Sequence, residues 1–180
     1  MENKVSASKS GILLGVIFGI IMVLEFVIMY VVGMKSLVDT SIGLIVNIAN
    51  YMILPIIFIY LGCNNYKNNI NNGFISFIEC LKTGVSITFI AAFVYALFSL
   101  VFNFIFPEFI DEMLSISKDA MLKKNPKMTS AEVETGVEMI KKFMNPVFVF
   151  PVTLAMYSFL GLIYSLIVGA FLKKDNPQSF

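Results

Sequence analysis

One carboxyl group stands inside a long apolar run of this sequence, at Glu25 within Gly11–Val32. A charged carboxylate near the middle of a membrane-crossing helix costs roughly 2.5–3.5 kcal/mol on insertion scales. Glu25 is therefore expected to be neutral or paired. Counted from a shared membrane face, Asn47, Asn50, Ser99, Asn103, Thr153 and Tyr157 fall in the same half of the layer, on three other apolar runs. A carboxyl ringed by hydrogen-bonding groups makes a proton or cation site, or a small polar pocket for a lipid headgroup. The same residues also allow a structural role, in which protonated Glu25 bonds an Asn and fixes helix register at about 1 kcal/mol per bond.

Other chemistries have little to work with. Histidine and tryptophan are absent and all 13 basic residues are Lys, so the commonest general base and metal ligand is missing. Cys63 and Cys80 form neither a disulfide framework nor metal-ligand spacing, and read as small apolar residues. Glycines in the apolar runs are followed by aliphatic residues rather than by Lys and Ser or Thr, so no nucleotide-binding loop is present and no cofactor is expected. A lipid-acting enzyme would have to use Glu25, Glu79 or the acids of the 107–146 segment. No paired acid and base converge in the sequence, and the chain is expected not to be an enzyme. A net charge of +1 excludes a basic nucleic-acid footprint.

The elements that must position these groups follow from hydropathy. With 58% hydrophobic and 14% charged residues the chain is richer in apolar side chains than ordinary soluble domains, and its charges cluster between long apolar runs. Four runs, 11–32, 42–61, 83–106 and 147–172, are each near or above the length needed to cross a hydrocarbon core about 30 Å thick. They are continuous rather than alternating, and hydrocarbon requires each segment to satisfy its own backbone groups, so helices are expected. Lys4 and Lys9 precede the first run as in a signal peptide. Its length and the lack of a small-residue cleavage pattern make it an uncleaved anchor. The expected fold is all-α: an integral membrane four-helix bundle in a single domain, 1–180, with a helical extramembrane hairpin between spans three and four.

That hairpin is read from 107–146. Thr129-Ser-Ala-Glu132 has capping-box spacing, and Val133, Val137, Ile140 and Phe143 or Met144 recur at helical intervals after it. A weaker amphipathic pattern through Phe109, Ile110, Met113, Leu114, Ala120 and Met121 precedes it and ends at Asn125 and Pro126. The other connections are expected to be short: a tight turn over Met34–Ser41, and an Asn- and Gly-rich turn segment over Gly62–Lys82. Adjacent spans are then antiparallel neighbours. Pro55 and Pro151 are candidate kinks, Pro151 lying near enough to a helix end to act as a start.

Lysine placement orients the chain. With the amino terminus in the cytoplasm, Lys4, Lys9, Lys67, Lys82, Lys173 and Lys174 lie inside and Lys35 outside, which puts both termini in the cytoplasm and the hairpin outside. The hairpin lysines argue the other way, but they are offset by acids and a long loop counts less.

The stretch Gly73-Phe-Ile-Ser-Phe77, then Lys82-Thr-Gly84, then Phe106-Pro-Glu-Phe109, resembles a family of small bacterial inner-membrane proteins known as domain of unknown function 4199. Lys141-Lys-Phe-Met-Asn-Pro146, with a Gly-spaced last span closed by Lys173 and Lys174, is similar to that family's carboxy-terminal half. The resemblance covers essentially the whole chain. It implies four spans, a long polar loop before the last and residence in the inner membrane, and it brings no assigned activity or catalytic residue.

Gly11, Gly15 and Gly19 recur at four-residue intervals on one face of the first span, and Gly161, Ser165 and Gly169 repeat the pattern in the fourth. Small residues at this spacing let another helix approach closely, either within one bundle or across a dimer. The lipid bilayer is one partner, and a second copy or another envelope protein are the others the sequence suggests. The leading expectation is a non-enzymatic accessory or scaffold subunit acting through these faces and the outside loop. The alternative is a small homo-oligomeric transporter or proton- or cation-coupled channel using the layer around Glu25.

Overall fold

The computed structural model describes residues 5–35 and 42–175. In chain order these form α1 (Ala7–Val32), α2 (Ile42–Ile70), α3 (Phe77–Ile105), α4 (Glu108–Lys124), α5 (Ser130–Phe143) and α6 (Pro146–Leu172). Helices α1, α2, α3 and α6 are long and apolar enough to cross a membrane, with mean hydropathies of 2.9, 2.2, 2.3 and 1.9. The chain is an all-α, multi-pass membrane bundle. Lys4 and most of the turn expected over Met34–Ser41 lie outside the described residues.

The segment expected as a turn over Gly62–Lys82 is mostly helix. Helix α2 continues to Ile70 and α3 begins at Phe77, leaving only 71–76 as connection. Asparagine content suggested turns, but the Asn68 amide donates to Asn64 Oδ1 at 2.9 Å and the Asn69 amide to Asn65 Oδ1 at 2.7 Å. These four-residue pairs bond along the helix surface instead of competing with its backbone. The reversal itself is Asn72 and Gly73, whose φ of 53° and 84° suit the two residue types that best tolerate left-handed backbone. Helix α3 opens with a reciprocal cap: the Ser76 backbone N–H donates to Glu79 Oε2 at 2.8 Å, and the Glu79 N–H to Ser76 Oγ at 3.3 Å.

Helix α3 is the axis of the bundle, with α6 along one side and α1 along another. The small-residue faces make this possible. A Cβ added at Gly15 would lie 2.8 Å from the Ile87 carbonyl oxygen, and one at Gly19 2.7 Å from Val94 Cβ, while Gly11 abuts the Thr83 carbonyl at 2.8 Å. On the opposite flank a Cβ at Gly161 would collide with the Thr88 side chain, Gly169 lies against Phe77, and Ser165 sits over Gly84. Both stripes are thus filled by α3 of the same chain rather than by each other. The buried hydroxyls bond to backbone: Thr83 donates to the Ala7 carbonyl at 3.1 Å and Thr88 to that of Gly84 at 3.2 Å. Cys63 and Cys80 are both buried helix residues, the Cys63 thiol donating to the Cys80 carbonyl at 3.5 Å.

Helix α2 is divided. Its second half, Leu54–Asn65, packs on α3 and α6, whereas Ile42–Ile48 makes only light contact and leaves Leu44 and Ile45 more than 60% exposed. Between the halves, Ala49–Ile53 winds as a π turn. Pro55 supplies a cause, because it has no N–H to give the carbonyl four residues back, that of Tyr51. The Tyr164 hydroxyl of α6 donates to that carbonyl at 2.8 Å. Tyr164→Phe is expected to lower unfolding stability by about 1 kcal/mol, with the loss abolished when Pro55 is first replaced by Ala. Equal losses in both backgrounds, measured by thermal unfolding in detergent, would show the bond does not compensate the proline.

The hairpin α4–α5 is rooted in an aromatic cluster. Phe109 of α4 meets Phe26, Tyr30 and Phe102, with Phe26 and Phe102 ring centroids 4.9 Å apart. The Lys35–Asp119 ion pair at 2.9 Å is exposed and adds little, although it holds the Asp119 carboxyl below its usual range. Helix α5 starts at the expected box, the Thr129 N–H donating to Glu132 Oε2 at 2.7 Å. That bond keeps the Glu132 carboxyl below its ordinary pKa. At the other pole Ile75 and Lys174 exchange backbone hydrogen bonds of 3.0 and 2.9 Å, and Lys67 Nζ caps the Leu172 carbonyl at 2.9 Å. The end of α6 is thereby clasped to the α2–α3 connection.

Candidate intramembrane polar site

Glu25 lies on the flank of α1 that faces the gap left by the lightly packed half of α2. Its Oε2 accepts a hydrogen bond of 2.7 Å from the Asn50 amide, so the two helices are tied within the apolar layer. Asn50 belongs to the π turn, a distortion often retained where a side chain must be aimed. Its other polar atom, Oδ1, is buried and has no hydrogen-bond partner among the described residues. An unpaired amide oxygen in an apolar layer costs free energy unless something else binds it.

Around this pair is a cavity of about 160 Å³. Thr153 and Tyr157 of α6 border it, as do Asn47 and Tyr51 of α2 and Tyr95 of α3. Tyr157 is nearly fully buried, with its ring centroid 5.6 Å from that of Tyr51. Tyr95 stands edge-on to Phe26 at 6.3 Å. Asn47 and Tyr51 are both exposed, which sets the mouth on the flank of α2 rather than at a pole of the bundle. None of the lining side chains is basic.

Five of the residues singled out by sequence, Glu25, Asn47, Asn50, Thr153 and Tyr157, therefore share one cavity, although Asn47 also spends its amide on the Gly43 carbonyl at 2.8 Å. Ser99 and Asn103 do not reach it. The Asn103 amide donates to the Ser99 carbonyl at 2.7 Å within α3, and both border a separate groove of about 310 Å³ against the start of α6. The cause is the face they occupy rather than their depth. Gly15 stands level with Ile87 and Ile90, and Gly19 with Ala91 and Val94, which puts Glu25 level with the turn that carries Ser99. Ser99 and Asn103 border the groove at the start of α6 instead. Tyr51 and Tyr95 also line the cavity and were not singled out, although Tyr157 was. Helical spacing placed Tyr51 on the face of Asn47 and Asn50. Among the described residues no group of three or more acids or thiols converges to hold a metal.

Residues 13–174 match the model of a family described as protein of unknown function, DUF4199. The chain belongs to this family. Comparison with curated proteins and with solved structures gives no match. For this DUF4199 member the cavity around Glu25 is accordingly argued from its own geometry.

Proposed function

We propose that this DUF4199 protein is a non-enzymatic membrane component whose carboxyl at Glu25 binds a proton or a cation inside the hydrocarbon layer, as part of a small homo-oligomeric transporter or coupled channel. One observation carries the reading: the Asn50 amide is spent on Glu25 while its buried Oδ1 is left without a partner, beside a cavity large enough for a ligand. Oligomerisation is part of it, because α3 fills the axis of the four spans and four spans alone rarely enclose a pathway. Lysine placement supports an orientation with both termini cytoplasmic, and the family resemblance a bacterial inner membrane. Lys9, Lys67, Lys82, Lys173 and Lys174 lie at one pole, and Lys35 at the other with the hairpin lysines, which neighbouring acids offset. In proteoliposomes carrying a pH gradient, a proton flux is expected that Glu25→Gln abolishes while the detergent-corrected mass stays a multiple of one chain. A flux unchanged by Glu25→Gln, or the mass of a single chain, would sink the proposal.

A second reading, an accessory or scaffold subunit, is favoured by the apolar ridge Met139, Phe143, Val147 and Phe148, each at least 47% exposed where α5 meets α6. It requires a polypeptide that crosslinks to this ridge in intact membranes. Crosslinking from position 143 that captures only lipid would count against it.

A further inference from the structure

We infer that the ligand of the Glu25 cavity is an organic ammonium cation, held by the carboxylate and by aromatic rings, and entering sideways from the lipid. This rests on the reading of Glu25 as the binding group. An acidic cavity without a basic side chain repels phosphate and carboxylate ligands. Hard inorganic cations demand a close shell of several oxygens. Beyond Glu25 and Asn50 Oδ1 the cavity offers only neutral groups spread over α2, α3 and α6, the Asn47 amide and the hydroxyls of Thr153, Tyr51, Tyr95 and Tyr157. Much of the remaining wall is thioether and ring, from Met22, Met29 and Met156 and from two ring pairs, Tyr51 with Tyr157 and Phe26 with Tyr95. Thioethers are soft donors that serve sodium or potassium poorly. A methylated ammonium needs no oxygen shell and is attracted by ring faces, which is how aromatic cages recognise such groups. The size agrees, since a cavity of about 150 Å³ accepts benzene, comparable in bulk to tetramethylammonium, and this one measures about 160 Å³. The exposed lining residues are Asn47 and Tyr51 of α2 and Met156 of α6, so the mouth opens sideways between the lightly packed half of α2 and α6, and a cation with an apolar body reaches the site from the membrane interior.

The test is equilibrium dialysis of radiolabelled tetramethylammonium against the full chain in detergent, with proton release read in weak buffer. Saturable binding is expected, with a proton released at a pH where Glu25 is protonated, and total loss in Glu25→Gln. Phe26→Leu and Tyr51→Leu are each expected to weaken it by roughly two- to thirtyfold, while Tyr51→Phe, which keeps the ring, retains it. A short-chain phosphatidylcholine that displaces the label more strongly than free tetramethylammonium would assign the cation to a lipid headgroup, and weaker displacement would assign it to a free solute. Either outcome upholds the ammonium site. Glu25-dependent sodium binding that tetramethylammonium does not oppose overturns the ligand class and leaves the proton or cation reading standing. Absence of any Glu25-dependent tetramethylammonium binding overturns the ammonium site, and a proteoliposome flux unchanged by Glu25→Gln overturns the reading it rests on.

Discussion

Gly84→Val is expected to prevent the bundle from closing. A side chain at residue 84 falls on Ser165 Oγ and lies 3.0 Å from Ile59 Cγ2, so helices α6 and α2 block it from two directions. Ser165 is fully buried and its hydroxyl donates to the Gly161 carbonyl one turn back, leaving it little room to rotate away. Overpacking a filled core costs about 1–3 kcal/mol, and with obstruction on two sides the upper end is expected. The measurement is unfolding of the purified chain in detergent, comparing the valine variant with Gly84→Ala and with the Gly84→Ala/Ser165→Gly pair. Alanine alone should destabilise and the pair should regain most of the loss, because the second change removes the obstructing side chain. An unaltered unfolding midpoint for Gly84→Val would mean that α3 and α6 do not cross where the structure puts them.

Asn50 and Glu25 should behave in the opposite sense, each needing the other. Asn50→Leu strips the carboxyl of its donor, and Glu25→Leu strands the Asn50 amide, so each single change is expected to cost about 1 kcal/mol. Replacing both by Leu removes two polar groups from the apolar layer at once, and the double variant should recover the original stability or exceed it. All three variants should lose Glu25-dependent proton flux. A purely structural role forecasts the same order of stabilities and differs in the flux, which Glu25→Gln would then leave unchanged.

The four spans were legible because membrane helices must satisfy their own backbone and present apolar side chains throughout, which one sequence records well. The hairpin helices were legible too, through Thr129, Glu132 and the apolar repeat after them. The α2–α3 connection was misread although its evidence was present: Ser76-Phe-Ile-Glu79 has the same capping-box spacing, and it fixes the start of α3 at Phe77. Ser99 lies at about the depth of Glu25, but which face of α3 meets the cavity is set by packing, so Ser99 and Asn103 were counted in and Tyr95 was left out. What no pattern in the sequence conveyed was which helix the glycine stripes would meet, since such a stripe specifies close approach but not its partner. The π turn is similar. Pro55 announced a disturbance, yet its form depends on Tyr164, far away in sequence, reaching the Tyr51 carbonyl.

The ring content of the cavity also governs how the molecule handles light. With no tryptophan in the chain, its near-ultraviolet emission comes from seven tyrosines, and three of them, Tyr51, Tyr95 and Tyr157, stand around the Glu25 cavity. A fourth, Tyr164, is bonded to the backbone of Tyr51. A change of occupancy or of charge at Glu25 therefore falls on most of the chain's fluorophores at once, and the site reports its own state with no label attached.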